Sequence, residues 1–459
     1  MNSQSDSSDE MSALLSFTAR NVRSYREEVH LSLLATRLSD TDVVRHVDTA
    51  GASAPVSVLP VAGIFGANAS GKSTVLRAMA DMRAIVLGSF RHGDHQTRMR
   101  RHPFLLQEES ACPSYFAVDL ILSGVRWQYG FEIDDYQVLS EYAYHYPKGR
   151  QALVFRRERD RQDPHFVQPF RSSGTELARL VRRNALLLSV AGAAADAKPD
   201  DRPRIIALLG PLFAWFRTSL LLMDSGNGTQ RIARTADLTQ SSQTREQVLA
   251  LIRAADLGIT DLERFHRDFD PELAERVQRA LRILNGLEEN PAEGQGDRLV
   301  VRDLVRLHHM GREGSAAIDP EHESEGTLTW VSLIGPVLDA LGRGVAVLVD
   351  DLDASLHPHL VQRFIHLFQD GDTNARCAQL VFNAHDVTIL GDSSQRTLGR
   401  DQVWLTEKAA DGTTALYALA DFRPKGDEAV GRRYLQGRYG GIPVLDPAEF
   451  RQAIGAQDS

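Results

Sequence analysis

The sequence predicts an α/β fold in which a mixed sheet, preceded by an N-terminal antiparallel meander, is interrupted by a helical insertion. Three observations predict it. An apolar run at 58–65 (VLPVAGIF) ends in a glycine-rich loop and is followed by helical spacing at 74–85 (TVLRAMADMRAI). Apolar and polar residues alternate through 115–156, as strands do. From residue 327 onward helical stripes alternate with short buried strands, the pattern of a parallel sheet with crossover helices.

The elements follow in order. Residues 1–12 begin with MNSQSDSSDE, a polar stretch without an apolar signal core or an Arg-rich amphipathic pattern. It reads as a short disordered tail, and the protein is expected in the cytoplasm. Residues 17–33 read as two antiparallel strands around a polar turn at Ser24. Next come the strand, loop and helix of 58–85. Residues 115–122 and 125–133 form a hairpin about Ser123 and Gly124, and 138–146 and 152–156 continue it. Together these make an N-terminal lobe at 13–160.

From 176 to 284 the period turns helical, in ELARLVRRNALLLSVAGAAA, RPRIIALLGPLFAWFRTSL, REQVLALIRAADL and PELAERVQRALRIL. The segment 161–298 is therefore read as a mainly helical insertion. After the break NGLEENPAEGQGD, a strand at 299–308 is expected to lead into the second half of the functional site. A C-terminal lobe at 299–459 then has helices at 327–341 and 358–369 and buried strands at 345–349 and 379–383.

Composition narrows the function classes. Hydrophobic residues at 42% and charged residues at 25% are globular values, and no apolar run approaches the roughly 20 residues of a membrane span. Cys112 and Cys377 lie far apart without a CxxC spacing, which argues against a disulfide framework and a zinc site. A net charge of -9 argues against a protein built mainly to coat nucleic acid. Local clusters at Arg91, Arg98, Arg100 and Arg101, and at Arg156, Arg157, Arg179, Arg182 and Arg183, suit a solvated surface or a nucleic-acid groove.

Four motifs carry chemistry. GANASGKST at 66–74 fits G-x-x-x-x-G-K-[ST] and sits between a strand and a helix, where that motif must sit. Gly66, Asn68, Ala69, Ser70, Gly71 and Thr74 are expected to wrap nucleotide phosphates with backbone N–H groups. Lys72 supplies charge to the outer phosphates, and the Ser73 hydroxyl is expected to bind Mg2+. VAVLVDD at 345–351 is an apolar strand ending in two carboxylates. Asp350 is the expected second Mg2+ ligand, and Asp351 the group that orients an attacking water. ESEGT at 323–327 precedes a helix; read alone it is a capped helix start, with Ser324 or Thr327 as the cap. LVFNAHD at 380–386 is a strand leading to His385, placed to meet a γ-phosphate and its water.

The order of these motifs is that of ABC/SMC/RecF-type ATPase heads, with LDASLHP after the paired carboxylates resembling their D-loop. In such sites the signature, here Ser324, Glu325 and Gly326, caps the nucleotide bound by a second subunit. The resemblance therefore implies ATP and Mg2+ as cofactors, and a homodimer or higher homo-oligomer. No long heptad pattern separates the motifs, which disfavours a full SMC protein. The N-terminal hairpin with Arg20, Asn21 and Arg23 suits a RecF-like head, with Arg23 expected at the nucleotide.

Further segments, HPFLL (102–106), RRNALLLS (182–189), ADLGI (255–259), RDQVWLTEK (400–408) and YLQGRYGGIPVL (434–445), resemble a particular family. It is the group of AAA-type, ABC-like ATPases from abortive-infection and restriction-linked cassettes, RloA/AbiL-like and related to the ATPase of PARIS-type defence systems. The resemblance runs from about residue 17 to 445. It implies a neighbouring effector, a Toprim-like or other nuclease, restrained or released upon a phage trigger. The alternative is a RecF-like DNA-binding clamp in repair. Tyr434, Arg438 and Tyr439 either pack a C-terminal cap or dock a partner. Asp351 departs from the Glu usual at its position, and the shorter side chain predicts slow hydrolysis.

Overall fold

The computed structural model describes residues 11–91, 97–106, 112–159, 161–195, 203–266, 303–391, 397–426, 428–443 and 445–453. The chain divides into two compact units, one of Met1–Asp224 with Ala340–Ser459 and the other of Ser225–Asp339. The expected helix at 271–284 and the glycine-rich break after it lie outside the described residues, as does nearly all of the N-terminal tail.

The first unit holds two large sheets. In the meander, β1 (Ala13–Arg20) pairs antiparallel with β2 (Val29–Ser32), Thr18 facing His30, which is the hairpin expected around Ser24. On its other side β1 pairs with β6 (Ser114–Leu122), followed by β7 (Val125–Ile133), β8 (Val138–His145), β9 (Ala152–Glu158) and β10 (Arg161–Phe166). Ser123 and Gly124, at φ 46° and 70°, turn β6 into β7. Positive φ at both positions makes the two-residue loop whose twist matches the strands it joins. A separate short pair joins β3 (Arg45–Val47) to β4 (Val56–Val58).

The second sheet has the order β11-β15-β16-β5-β17-β18. Strands β11 (Leu220–Met223), β15 (Ala346–Val349), β16 (Gln379–Asn383), β5 (Val61–Gly66) and β17 (Val403–Lys408) are parallel; β18 (Thr414–Ala418) closes one edge antiparallel. β5, β15 and β16 are buried at every position, as strands covered on both faces must be. Helices α1 (Lys72–Gly88), α2 (Arg171–Ala178), α3 (Leu187–Ala194) and α4 (Arg204–Thr218) belong to this unit. One buried cluster joins Met79 and Met82 of α1, Val190 of α3 and Phe216 of α4 to Tyr129 and Phe131 of the meander.

The stretch expected to be a mainly helical insertion also supplies a strand to the large parallel sheet. After α4 the backbone turns extended, and Leu220–Met223 runs parallel to β15 as the edge strand β11. Its four apolar residues suit a helix stripe and a strand equally, and the vacant edge of β15 decides between them. Residues up to Asp224 therefore belong to the first unit. The second unit contains α5 (Gly228–Leu238), α6 (Ser242–Ala254), β12 (Ile259–His266), β13 (Asp303–Gly311) and β14 (Gly314–Ile318), and α7 (Glu325–Arg343) for most of its length. The strand expected at 299–308 is found as β13, but it pairs with β12 and β14 rather than joining the six-stranded sheet. Within this unit Thr235 Oγ1 donates to Val331 O at 2.7 Å and accepts from Gly335 N at 2.9 Å. A Cβ at Gly335 would stand 2.7 Å from Thr235 N, so only glycine lets α5 and α7 approach this closely.

The segments without a chemical reading have structural accounts. Asn21 is buried; its Nδ2 donates to Cys112 O at 2.6 Å and its Oδ1 accepts from Phe104 N at 3.0 Å, pinning HPFLL. In RRNALLLS, the N–H groups of Leu187 and Leu188 donate to the buried carboxylate of Glu141 at 2.7 and 3.1 Å, which caps α3. Tyr434 OH donates to Gly441 O at 2.9 Å, and Tyr417 OH donates to Tyr439 O at the same distance. Tyr434 and Tyr439 are buried and Arg438 is exposed, so these tyrosines pack the C-terminal segment. None of the described helices is long and apolar enough to cross a membrane.

Candidate nucleotide-binding site

The glycine-rich loop leaves the sheet at Gly66 and enters α1 at Lys72. Ala69 at φ 60° and Gly71 at φ 103° curl it, the alternation of hand that turns successive N–H groups toward one point. A Cβ on Gly71 would lie 2.7 Å from the Thr414 side chain, so glycine is needed for space as well as for φ. Ser70 is buried beneath the loop, its hydroxyl 2.6 Å from Thr406 Oγ1. Lys72 Nζ donates to the carbonyls of Gly66 and Ala67, each at 3.0 Å, and lies 3.4 Å from His385 Nδ1. Burial lowers the Lys72 pKa, while the charges of Asp351, Asp353 and Asp350 push it back up.

A cavity of about 360 Å³ opens over the loop, lined by Asn68, Ala69, Gly71, Lys72, Ser73 and Thr74. Asp351 and His385 enter it from the ends of β15 and β16. Asp351 sits at φ 54°, with its N–H given to Asn383 Oδ1 in a short hydrogen bond. His385 Nε2 lies 3.9 Å from Asp351 Oδ1. Burial, and then the charge of Asp350, hold the Asp351 pKa above the ordinary aspartate value; His385 and Lys72 oppose the rise. Asp350 stands behind the cavity. Asn383 Nδ2 donates to Asp350 Oδ1 at 2.6 Å and to Ser73 Oγ at 3.1 Å, bringing both oxygens to one amide.

Over residues 61–391 the chain matches the family model described as "AAA domain, putative AbiEii toxin, Type IV TA system". The chain belongs to this AAA family. Among solved structures it is similar to an SMC head bound to the C-winged-helix domain of ScpA, at 11% identity, 89% coverage of this chain, 99% of that one and a TM-score of 0.40. It is also similar to the SMC head domain from Thermotoga maritima, at 12% identity, 88% and 98% coverage and a TM-score of 0.37. A third is the SMC head with an extended coiled coil bound to the C-terminal domain of ScpA from Pyrococcus furiosus, at 12%, 90%, 98% and 0.35. No curated protein matches the sequence.

In this AAA-family chain most of the expected loop residues line the cavity, and two do not: Gly66 ends β5, and Ser70 bonds beneath the loop. Arg23 is not brought to the cavity. Its Nε and Nη2 grip the Asp81 carboxylate at 2.7 and 2.8 Å, a bidentate pair that holds the hairpin turn on α1. The neighbouring Ser24 lines the cavity instead, its hydroxyl 3.2 Å from Thr74 Oγ1 and 2.8 Å from Thr414 Oγ1. Lys408, at the end of β17, also lines it. Ser324, Glu325 and Gly326 belong to the other unit, where the Ser324 hydroxyl accepts from Thr327 N at 3.1 Å and caps α7. Ser324 and Glu325 are exposed.

Sequence reasoning missed Asn383 and Asp353. The first had a signal, a polar residue ending the otherwise apolar run LVFN. Asp353 Oδ2 accepts from the N–H groups of His385 and Asp386, each at 2.8 Å, and so fixes the loop that presents the histidine.

Proposed function

We propose that this chain is an ATP-binding and hydrolysing switch subunit of a bacterial anti-phage complex of the abortive-infection type, acting in the cytoplasm. Its two or more copies assemble with ATP and control a partner effector, a Toprim-like or other nuclease of the same cassette. The observation that carries the ATP reading is the gathering of Lys72, Ser73, Asp351 and His385 at one cavity above a left-handed loop. The loop N–H groups, the start of α1 and the Lys72 ammonium favour a polyphosphate.

Ser73 and Asp350 would hold Mg2+, which neutralises charge on the phosphates. A hydroxyl and a carboxylate oxygen are hard donors, and two protein ligands leave positions for phosphate oxygens and water, the coordination Mg2+ prefers. Asp351 orients the attacking water and takes its proton, and His385 donates toward the γ-phosphate. Ser324, Glu325 and Gly326 of a second copy close the site at the N-terminus of α7. Aspartate at 351 reaches one methylene less far than glutamate, so turnover of the isolated protein should be slow. Rates of tens per second without a partner, against about 10 per second for a typical enzyme, would overturn that step.

Support for the defence role is the family description, which names an AbiEii toxin and a type IV TA system. The test is to express the gene with its native neighbours and identify by mass spectrometry what co-purifies, with wild type and Lys72→Ala. A nuclease-like neighbour whose retention changes in the variant is the expected result. Recovery of DNA or repair factors alone would replace the proposal with a RecF-like DNA clamp.

A further inference from the structure

A second cavity, of about 550 Å³, lies at the end of α1 remote from the glycine-rich loop. It is larger than the nucleotide cavity and falls in the range of small-molecule sites, roughly 300–1,000 Å³. Ile85, Leu87 and Met99 give it an apolar wall, Arg91, Arg98 and Arg100 lie on its lining, and none of its described lining residues is a carboxylate.

Hydrogen bonds fix the walls. Leu186 N donates to Ser89 Oγ and Phe90 N donates to Ser189 Oγ, each at 3.1 Å, so the last turn of α1 is tied to the segment entering α3. The Arg182 guanidinium lies 5.3 Å over the Phe90 ring and donates to the Phe90 carbonyl. Asn184 Nδ2 donates to Thr97 O at 3.1 Å and Met99 N donates to Asp135 O at 2.8 Å, which holds the lining segment 97–100. Arg98 donates to the Tyr136 hydroxyl at 2.9 Å and lies 5.3 Å over that ring, contacts that hold the guanidinium without a carboxylate. Arg98 and Arg100 are exposed to an incoming ligand.

We propose that this cavity binds a small phosphorylated molecule with a flat apolar ring, of the mononucleotide class. Guanidinium groups pair bidentately with phosphate oxygens and stack on planar rings, and the apolar wall accepts the ring face. A duplex presents its phosphates along an extended surface, whereas these arginines border one open concavity of nucleotide size. The 17-residue helix α1, about 25 Å long, begins at Lys72 and ends at this cavity, so a ligand here touches the element that carries the phosphate-binding loop.

The test is calorimetric titration of AMP into the full chain carrying Lys72→Ala, which separates this site from the loop site and keeps the result independent of the ATP reading. One binding event with a Kd of about 0.1 mM or tighter is expected. Arg98→Ala with Arg100→Ala should weaken it at least about tenfold, while ATP binding to the same double variant with Lys72 intact shows that the chain still folds. Adenosine and inorganic phosphate should each bind more weakly than AMP. Lowering the pH from 7.5 to 5.5 should weaken AMP as its phosphate takes up a second proton near pH 6. Absence of AMP binding in Lys72→Ala, binding indifferent to the two arginines, or Arg-dependent binding of an oligonucleotide without AMP would each overturn the proposal.

Discussion

Replacing Asn383 by leucine is the sharpest test of how the carboxylate end of the site is held. Asn383 is fully buried, and its side chain donates to Asp350 and Ser73 and accepts from the Asp351 N–H. Leucine, though bulkier, keeps the branched side chain of four heavy atoms and removes all three bonds. A hydrogen bond to a charged group contributes about 1.5–3 kcal/mol and a neutral one about 0.5–1.5, so the loss is about 2.5–6 kcal/mol. The largest share falls on Asp350, whose side chain is 9% exposed and would keep Arg77 at 3.3 Å, a guanidinium 54% exposed. For a unit of several hundred residues the unfolding entropy is roughly 0.7 kcal/mol per kelvin, so the midpoint should fall by about 4–9 °C. The assay is thermal unfolding followed by tryptophan fluorescence without magnesium. Asn383→Asp separates the contributions: it retains an acceptor for Asp351 N–H but sets a second carboxylate against Asp350. Its deficit should shrink on adding Mg2+, and that of Asn383→Leu should not. A leucine variant within about 1 °C of wild type, or an aspartate variant indifferent to Mg2+, would refute the reasoning.

Other expectations can be checked on the same protein. Asp351→Asn should abolish hydrolysis and keep ATP binding. Because the folded pKa of Asp351 is raised, the native chain holds that proton longer as pH rises, and stability is lost as pH climbs from the unfolded value through the folded one. The Asn variant should therefore melt higher than wild type at pH 7 without ligand and equal to it at low pH; a lower melting point at pH 7 would contradict this. Gly71→Ala meets the Thr414 side chain at 2.7 Å and a φ of 103°, so ATP affinity measured by calorimetry should drop by at least about tenfold. Glu141→Leu leaves the Leu187 and Leu188 N–H groups and the Tyr129 hydroxyl without their acceptor, and urea unfolding should register a loss of about 3–5 kcal/mol. A loss under 1 kcal/mol would mean that α3 is capped in another way.

Contiguous features were legible in the sequence. The glycine-rich loop between strand and helix, the Ser123–Gly124 hairpin, and the elements at 358–369 and 379–383 each depend on backbone conformation and periodicity within a few residues. Contiguous residues alone were thus enough for the fold class, the glycine-rich loop and the presence of Asp351 and His385 at its cavity. Only the tertiary structure decided that Arg23 turns to Asp81, that Ser24 and Lys408 line the cavity, and that Leu220–Met223 extends the parallel sheet. It alone decided that β13 joins a small sheet in the second unit. The physical reason is distance along the chain. Periodicity records which face of an element is apolar, whereas the partner of a polar side chain is set by whatever the sheet brings beside it, as when Asn383 reaches Ser73 across 310 residues.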